Sequence, residues 1–280
     1  MIRLGLTGYP LGHSLSPKLH AAALSHFGLE GDYLLYPVAP EDKAGLAALV
    51  ERLRSGDLRG LNITIPHKQN VLPLLDELTP SARAIGAVNT IFLRDGRLVG
   101  ENTDAPGFLA DLTGFLGSVP VRKKAIVLGS GGGARAVVFT LLQEGWEVII
   151  AAILMDQAQA LIESMGQALS PAARCVLNER LALSTESDGV SLVVNASPVG
   201  MSPNVDGCPW PDGLSFPVQA AVYDLVYNPR ETRLVRLARS AGLRASTGLG
   251  MLVEQARRSF ECWTGQLPPR ENLLSAVEAG

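Results

Sequence analysis

Residues 125–151 constrain the fold of this chain more than any other stretch. Ala125–Leu128 is a short apolar run of the kind buried on both faces of a parallel sheet. It leads directly into Gly129-Ser130-Gly131-Gly132-Gly133-Ala134, then a helical pattern, then a second strand from Glu147 to Ala151. Strand, G-x-G-x-x-A turn, helix and strand in that order form the first half of a dinucleotide-binding βαβ unit. The glycines let backbone approach a pyrophosphate, and the helix N-terminus stabilises its charge. Further strands are predicted at Val193–Met201 and Tyr223–Pro229, continuing the alternation.

The first hundred residues alternate in the same way. Strands are predicted at Ile2–Leu6, Asp32–Val38 and Leu61–Ile65. A helix over Glu41–Ser55 would bury Leu46, Leu49, Val50 and Leu53 on one face. Strands separated by helices predict a mostly parallel sheet. Ser16-Pro17 suits a helix start, with serine as N-cap and proline at the first helical position. With Ser14 two residues before it, this corner also suits a carboxylate ligand.

Residues 61–104 carry the candidate chemistry. Pro66 stops the third strand and delivers Lys68 at its end; Asn102, Thr103 and Asp104 are predicted in a turn before Pro106 and Gly107. A lone Lys and Asp on loops are most often a solvated surface pair worth roughly 0–1 kcal/mol. Here, however, Asn62, Thr64, Asn89, Thr90 and Asn102 cluster with them on short, otherwise apolar elements. That pattern predicts a pocket for a small polyhydroxylated ligand, with Lys68 and Asp104 able to share a proton at a carbinol.

The blocks NITIPHK, GAVNT and ENTD, in this order, together with HSLSP near the start, resemble the shikimate dehydrogenase family over nearly the whole chain. The resemblance implies two lobes. An α/β substrate domain would occupy residues 1–104 and a Rossmann dinucleotide-binding domain 105–245, with C-terminal helices, 246–280, packing back on the substrate lobe. It implies reduction of 3-dehydroshikimate to shikimate, with Lys68 and Asp104 as the catalytic pair. Ser14 and Ser16 would hold the carboxylate; Asn62, Thr64, Asn89, Asp104, Tyr227 and Gln255 would touch the rest of the substrate. The cofactor side would comprise Gly129, Ser130, Gly131, Gly132, Gly133, Ala134, Ala152, Ile153, Leu225 and Gly248. NADP is the expected cofactor, and NAD stays open. Family members that use NADP carry Asn-Arg-Thr after the second strand, where this chain has Ala152-Ile153-Leu154. Two alternatives stand beside this reading: an NAD-dependent quinate or aminoshikimate dehydrogenase, and a weakly catalytic shikimate-binding protein.

Composition narrows the remaining classes. The 280 residues are 47% hydrophobic and 18% charged, with net charge −3, which gives no reason to expect nucleic acid or anionic membrane as partner. No apolar run is long enough to span a bilayer, and the polar N-terminal stretch reads as mature protein. Cys175, Cys208 and Cys262 are odd in number and widely spaced, which predicts free thiols and a cytoplasmic setting. His13-Ser14 lies in no GxSxG elbow, and His20, His26 and His67 share no metal-ligand spacing. A monomer or homodimer is expected from the resemblance.

Overall fold

The chain, described over residues 1–278 in a computed structural model, divides into two units. Unit 1 is Met1–Gly107 with the segment from Leu252 on, and unit 2 is Phe108–Met251. In unit 1, β1 (Ile2–Gly8), α1 (Ser16–His26), β2 (Gly31–Pro37), α2 (Lys43–Arg54) and β3 (Gly60–Ile63) make a parallel strand–helix alternation. The predicted face of α2, Leu46, Leu49, Val50 and Leu53, is buried, and Asp42 caps the helix by accepting from the Gly45 N–H at 2.8 Å. Then follow β4 (Glu77–Leu78), α3 (Pro80–Ile85), β5 (Thr90–Arg94) and β6 (Arg97–Glu101).

The sheet order is β2-β1-β3-β5-β6-β4, with β5 antiparallel to both β3 and β6. Three of its five strand pairs are parallel, as the alternation predicts, and the two that involve β5 are antiparallel. The cause is local: Asp95 and Gly96 both take positive φ, 51° and 76°, the two-residue turn that joins antiparallel strands. Strand β3 stops two residues short of the predicted Ile65. The Thr64 N–H bonds the Thr7 carbonyl and the Thr64 carbonyl accepts from the His67 N–H, which turns the chain through Ile65 and Pro66.

Helix α4 (Asp104–Leu116) leads from unit 1 into unit 2. There the elements are β7 (Lys124–Leu128), α5 (Gly132–Gln143), β8 (Glu147–Ala152), α6 (Met155–Ser164), β9 (Ala173–Leu177), α7 (Arg180–Glu186), β10 (Leu192–Asn195), β11 (Ala221–Asp224), α8 (Arg233–Ser240) and β12 (Ala245–Thr247). All six strands are parallel, in the order β12-β11-β10-β7-β8-β9. The order reverses between β7 and β10, the switch point where open α/β sheets take ligands. β10 and β11 are shorter than the predicted Val193–Met201 and Tyr223–Pro229. Asn195 Oδ1 accepts from the Ser197 N–H and Asp224 Oδ1 from the Val226 N–H, so each strand closes in a side-chain turn.

Helices α9 (Leu249–Thr264) and α10 (Arg270–Glu278) end the described chain. On α9, Ala256, Phe260 and Trp263, which fall at helical spacing, are buried, and Leu252 is half-buried. Trp263 donates its indole N–H to the Ile91 carbonyl at 3.0 Å and lies so close to Gly60 that a Cβ there would sit 2.3 Å from the ring. The chain crosses between units inside α4 and inside α9. No described helix is long and apolar enough to cross a membrane.

Candidate active site

In unit 1 the strand directions bring four chain segments to one edge of the sheet. β1, β3 and β6 point the same way, so the segments after them, containing Ser14–Ser16, Thr64–Lys68 and Asn102–Asp104, leave at the same edge. Asn89 and Thr90, at the start of antiparallel β5, lie there too. The backbone of Lys68 is fixed because its carbonyl accepts from the Val88 N–H at 2.8 Å. His67 anchors the same turn through Nε2 and the Val38 carbonyl, 2.8 Å apart.

Lys68 Nζ donates to Asp104 Oδ2 at 2.5 Å, and both side chains are largely enclosed, 13% and 7% exposed. This is not a solvated surface pair. Asp104 stands in the first turn of α4, where the helix dipole favours a carboxylate, whereas the sequence predicts a turn for residues 102–104. The helix start is set by Asn102, whose Oδ1 accepts from the Ala105 N–H at 3.2 Å.

The other Asp104 oxygen, Oδ1, accepts from Asn89 Nδ2 at 2.9 Å. The orientation of that amide is unambiguous: Asn89 Oδ1 accepts from the Thr103 backbone N–H at 2.7 Å, and an N–H can only donate. Behind Asn89 lies a buried polar network. Ser259 Oγ, fully buried on α9, lies 2.7 Å from Thr90 Oγ1 and 3.1 Å from Thr103 Oγ1. It accepts from Asn62 Nδ2 at 3.0 Å and donates to the Gln255 carbonyl at 3.0 Å. In a low-dielectric setting a fully satisfied network of this kind holds its members rigidly.

Asn62 differs from the expectation of a direct substrate ligand. It is 4% exposed, its Oδ1 accepts from the Tyr33 hydroxyl at 2.8 Å, and its Nδ2 donates to the Asn89 carbonyl at 3.0 Å. Both ends of the amide are thus engaged inside the protein, as they are for Asn89, but Asn89 bonds Asp104 itself whereas no partner of Asn62 belongs to the Lys68–Asp104 pair. Tyr33 in turn stacks on His20, ring centroids 4.3 Å apart, and burial pushes the His20 imidazole down to about 3. Ser259, Thr103 and Tyr33 were not among the sequence-derived site residues. Ser259 carried one signal: a serine four residues after Gln255 on a helix face otherwise made of Ala256, Phe260 and Trp263.

Ser16 opens α1 but does not cap it; the N-cap position is Leu15 and has no side-chain cap. Instead Ser14 Oγ accepts from the Ser16 N–H at 3.2 Å, and Ser14 is only half-buried. Thr64 is half-buried beside Gly8, where a Cβ would fall 2.3 Å from its methyl group. Gln255 is 8% exposed; its Oε1 accepts from Asn89 Nδ2 at 3.4 Å and its Nε2 donates to the Leu252 carbonyl. Tyr227 belongs to unit 2, in the turn after β11.

In unit 2, β7 runs into Gly129, whose φ of +107° excludes ordinary side chains and whose N–H bonds the Ala151 carbonyl at 2.8 Å. Gly131 is the N-cap of α5, no side chain caps that helix, and a Cβ on Gly131 would meet nothing within 4 Å. Unspent N–H groups with open space before them suit a diphosphate. Ala134 is buried, and Gly133 approaches Leu225 with 3.5 Å between a hypothetical Cβ and the leucine methyl. Gly248 also abuts Leu225: a Cβ there would lie 2.3 Å from the Leu225 carbonyl. Ser130 and Gly132 complete the loop, and Ala152 ends β8. The residues fit the diphosphate of a dinucleotide; the corner after β8 presents Ile153 and Leu154, 78% and 57% exposed.

Comparison with known proteins bears on both units. Residues 6–91 match the family model described as shikimate dehydrogenase substrate binding domain, and residues 248–278 match that of the shikimate 5′-dehydrogenase C-terminal domain. The shikimate dehydrogenase (NADP(+)) of Salinibacter ruber is 43% identical, over 98% of this chain and 96% of its own. The structure of shikimate 5-dehydrogenase from Thermus thermophilus in complex with NADP(H) and shikimate is 40% identical, with TM-score 0.84 over 100% of this chain and 99% of that one. Quinate dehydrogenase from Corynebacterium glutamicum in complex with NAD is 31% identical with TM-score 0.87, covering 100% and 99%.

Proposed function

This chain belongs to the shikimate dehydrogenase family, and on that premise we propose that it reduces 3-dehydroshikimate to shikimate, reversibly and with NADPH, in the biosynthesis of aromatic amino acids. The enclosed Lys68–Asp104 pair at 2.5 Å is the observation that carries this reading. A bound nicotinamide supplies the hydride. The protein's part is to orient the ketone and deliver the proton that balances it. As negative charge develops on the carbonyl oxygen, Lys68 Nζ donates a proton there, and a C–H and an O–H bond replace the C=O π bond. Asp104 Oδ2 holds the ammonium in place, and Asn89 Nδ2, donating to Asp104 Oδ1, stops the carboxylate from turning away. In the oxidation of shikimate the same amine takes the proton back.

Ser14 and Ser16 bind the ring carboxylate at the start of α1, with the helix dipole adding to their hydroxyls. Thr64, Asn89, Asp104 and Gln255 line the hydroxyl side. Asn62 serves beneath them, as the support of Asn89 and Thr90. Residues 129–134 receive the cofactor diphosphate. The three cysteines are free thiols, which accords with a cytoplasmic enzyme, and we take it to act as a monomer or homodimer.

The test is reduction of 3-dehydroshikimate by the purified protein, followed as NADPH consumption and as shikimate formed. Turnover that requires Lys68 supports the proposal. Shikimate binding without any turnover would sink it and leave a binding protein.

A further inference from the structure

In a dinucleotide-binding βαβ unit the residue after the second strand meets the adenosine ribose: an acid takes its hydroxyls, an arginine takes a 2′-phosphate. The second strand here is β8, adjacent and parallel to glycine-bearing β7. Its end offers Ile153 and Leu154, side chains that stand in solvent at 78% and 57% exposure. The nearest charge in sequence is Asp156, an exposed acid in the first turn of α6.

Of the nearest cations in sequence, Arg135 and Arg174 are engaged elsewhere and Arg180 lies toward Gly213. No lysine or arginine occurs between Arg135 and Arg174. Arg135 is buried in α5 and donates to Ser164 Oγ at 2.8 Å. Arg174 stands opposite Ile149, three pairs back from the strand end, and is spent on Glu147 and Glu186. Arg180, at the start of α7, lays its guanidinium against Gly213.

We propose that this chain has no ionic recognition of the 2′-phosphate and takes NADP(H) and NAD(H) with similar affinity, its adenosine corner being an apolar ledge made by Ile153 and Leu154. The diphosphate cradle at Gly129–Ala134 is common to both nucleotides and does not distinguish them. This inference rests on the dinucleotide reading of unit 2 given above.

The experiment is equilibrium titration of the full-length protein with NADPH and with NADH, read by dihydronicotinamide fluorescence, at low and at high sodium chloride. The two Kd values are expected within about threefold of each other, with similar salt dependence, because neither complex contains a strong ion pair at this corner. Ile153→Arg is expected to tighten NADPH about tenfold or more, and to make that affinity salt-sensitive, with NADH little changed. Asp156→Asn, which changes charge without size at an exposed position, is expected to shift NADPH in the same direction by less. Wild-type NADPH binding about tenfold or more tighter than NADH, and lost in salt, would overturn the proposal alone. No binding of either nucleotide would overturn it together with the dinucleotide reading beneath it.

Discussion

Asp104 has both carboxylate oxygens engaged, one by Lys68 and one by Asn89, and this double hold gives the site its most direct tests. Replacing Lys68 with Ala removes the proton donor, and kcat is expected to fall by about 10²–10⁴ with little change in the KM for shikimate. Steady-state kinetics with shikimate and with 3-dehydroshikimate measure both numbers. Ser259→Ala acts one layer behind. It takes away one acceptor of Asn62 Nδ2 and the neighbour of the Thr90 and Thr103 hydroxyls. Asn62 Nδ2 keeps the Asn89 carbonyl and Thr90 Oγ1 as acceptors, so the expected cost is that of a net buried hydrogen bond, about 0.5–1.5 kcal/mol, which urea unfolding would detect. Loosening the support of Asn89 is expected to lower kcat as well, by roughly tenfold to a hundredfold. Ser259→Ala with wild-type kcat would show that the network stabilises the fold without positioning Asp104.

At the scale of elements, unit 1 depends on a few close approaches. β3 and α9 meet at Gly60 and Trp263, with no space for a methyl group between them. Gly60→Ala would push the indole off the Ile91 carbonyl and is expected to destabilise the protein by about 3 kcal/mol, at the upper end of overpacking effects. Loss of the Trp263 fluorescence environment together with an earlier urea midpoint would register it. Most elements were legible in the sequence: the α2 face, the glycine turn before α5 and the Ala256–Trp263 stripe all follow a 3.6-residue or strand-turn-helix pattern that acts locally. The ends of β3, β10 and β11 were not. Apolar runs continue past each end, but Thr64, Asn195 and Asp224 divert the backbone into turns through hydrogen bonds that hydrophobic pattern does not register.

For the molecule as a whole, two buried ionisable groups give the units opposite responses to pH. His20 in unit 1 titrates near 3 when folded and near 6.5 when unfolded, because burial excludes its charged form. Its neutral form supports the fold fully above pH 6.5, and that support is lost as pH falls toward 3, at up to about 1.4 kcal/mol per pH unit. Asp224 in unit 2 is raised by burial from 3.8 to about 6, although Thr232, Val226 and Asn195 all donate to it. Its contribution has the other sign: it is present below pH 3.8 and lost as pH rises through 6. Urea unfolding across the range from about pH 4 to about pH 7.5 is the measurement. His20→Phe is expected to gain on the wild type as pH falls, and Asp224→Asn to gain on it as pH rises from about 4 to about 6. Parallel curves for either variant would contradict the corresponding assignment.

The sequence by itself determined the α/β class, the dinucleotide turn, the choice of Lys68 and Asp104 as the candidate pair, and the missing cation after β8. The class, the turn and the missing cation are written in contiguous residues; the pair, 36 positions apart, is marked by the polar residues around it and by the family resemblance. Only the tertiary structure decided which polar groups face a ligand and which face one another. Asn62 looked like a substrate contact because it is polar at a strand end. Its partners, Tyr33, Asn89, Thr90 and Ser259, lie up to 197 residues away along the chain. A buried hydrogen bond is a property of two groups brought together by packing, and no local pattern names the second.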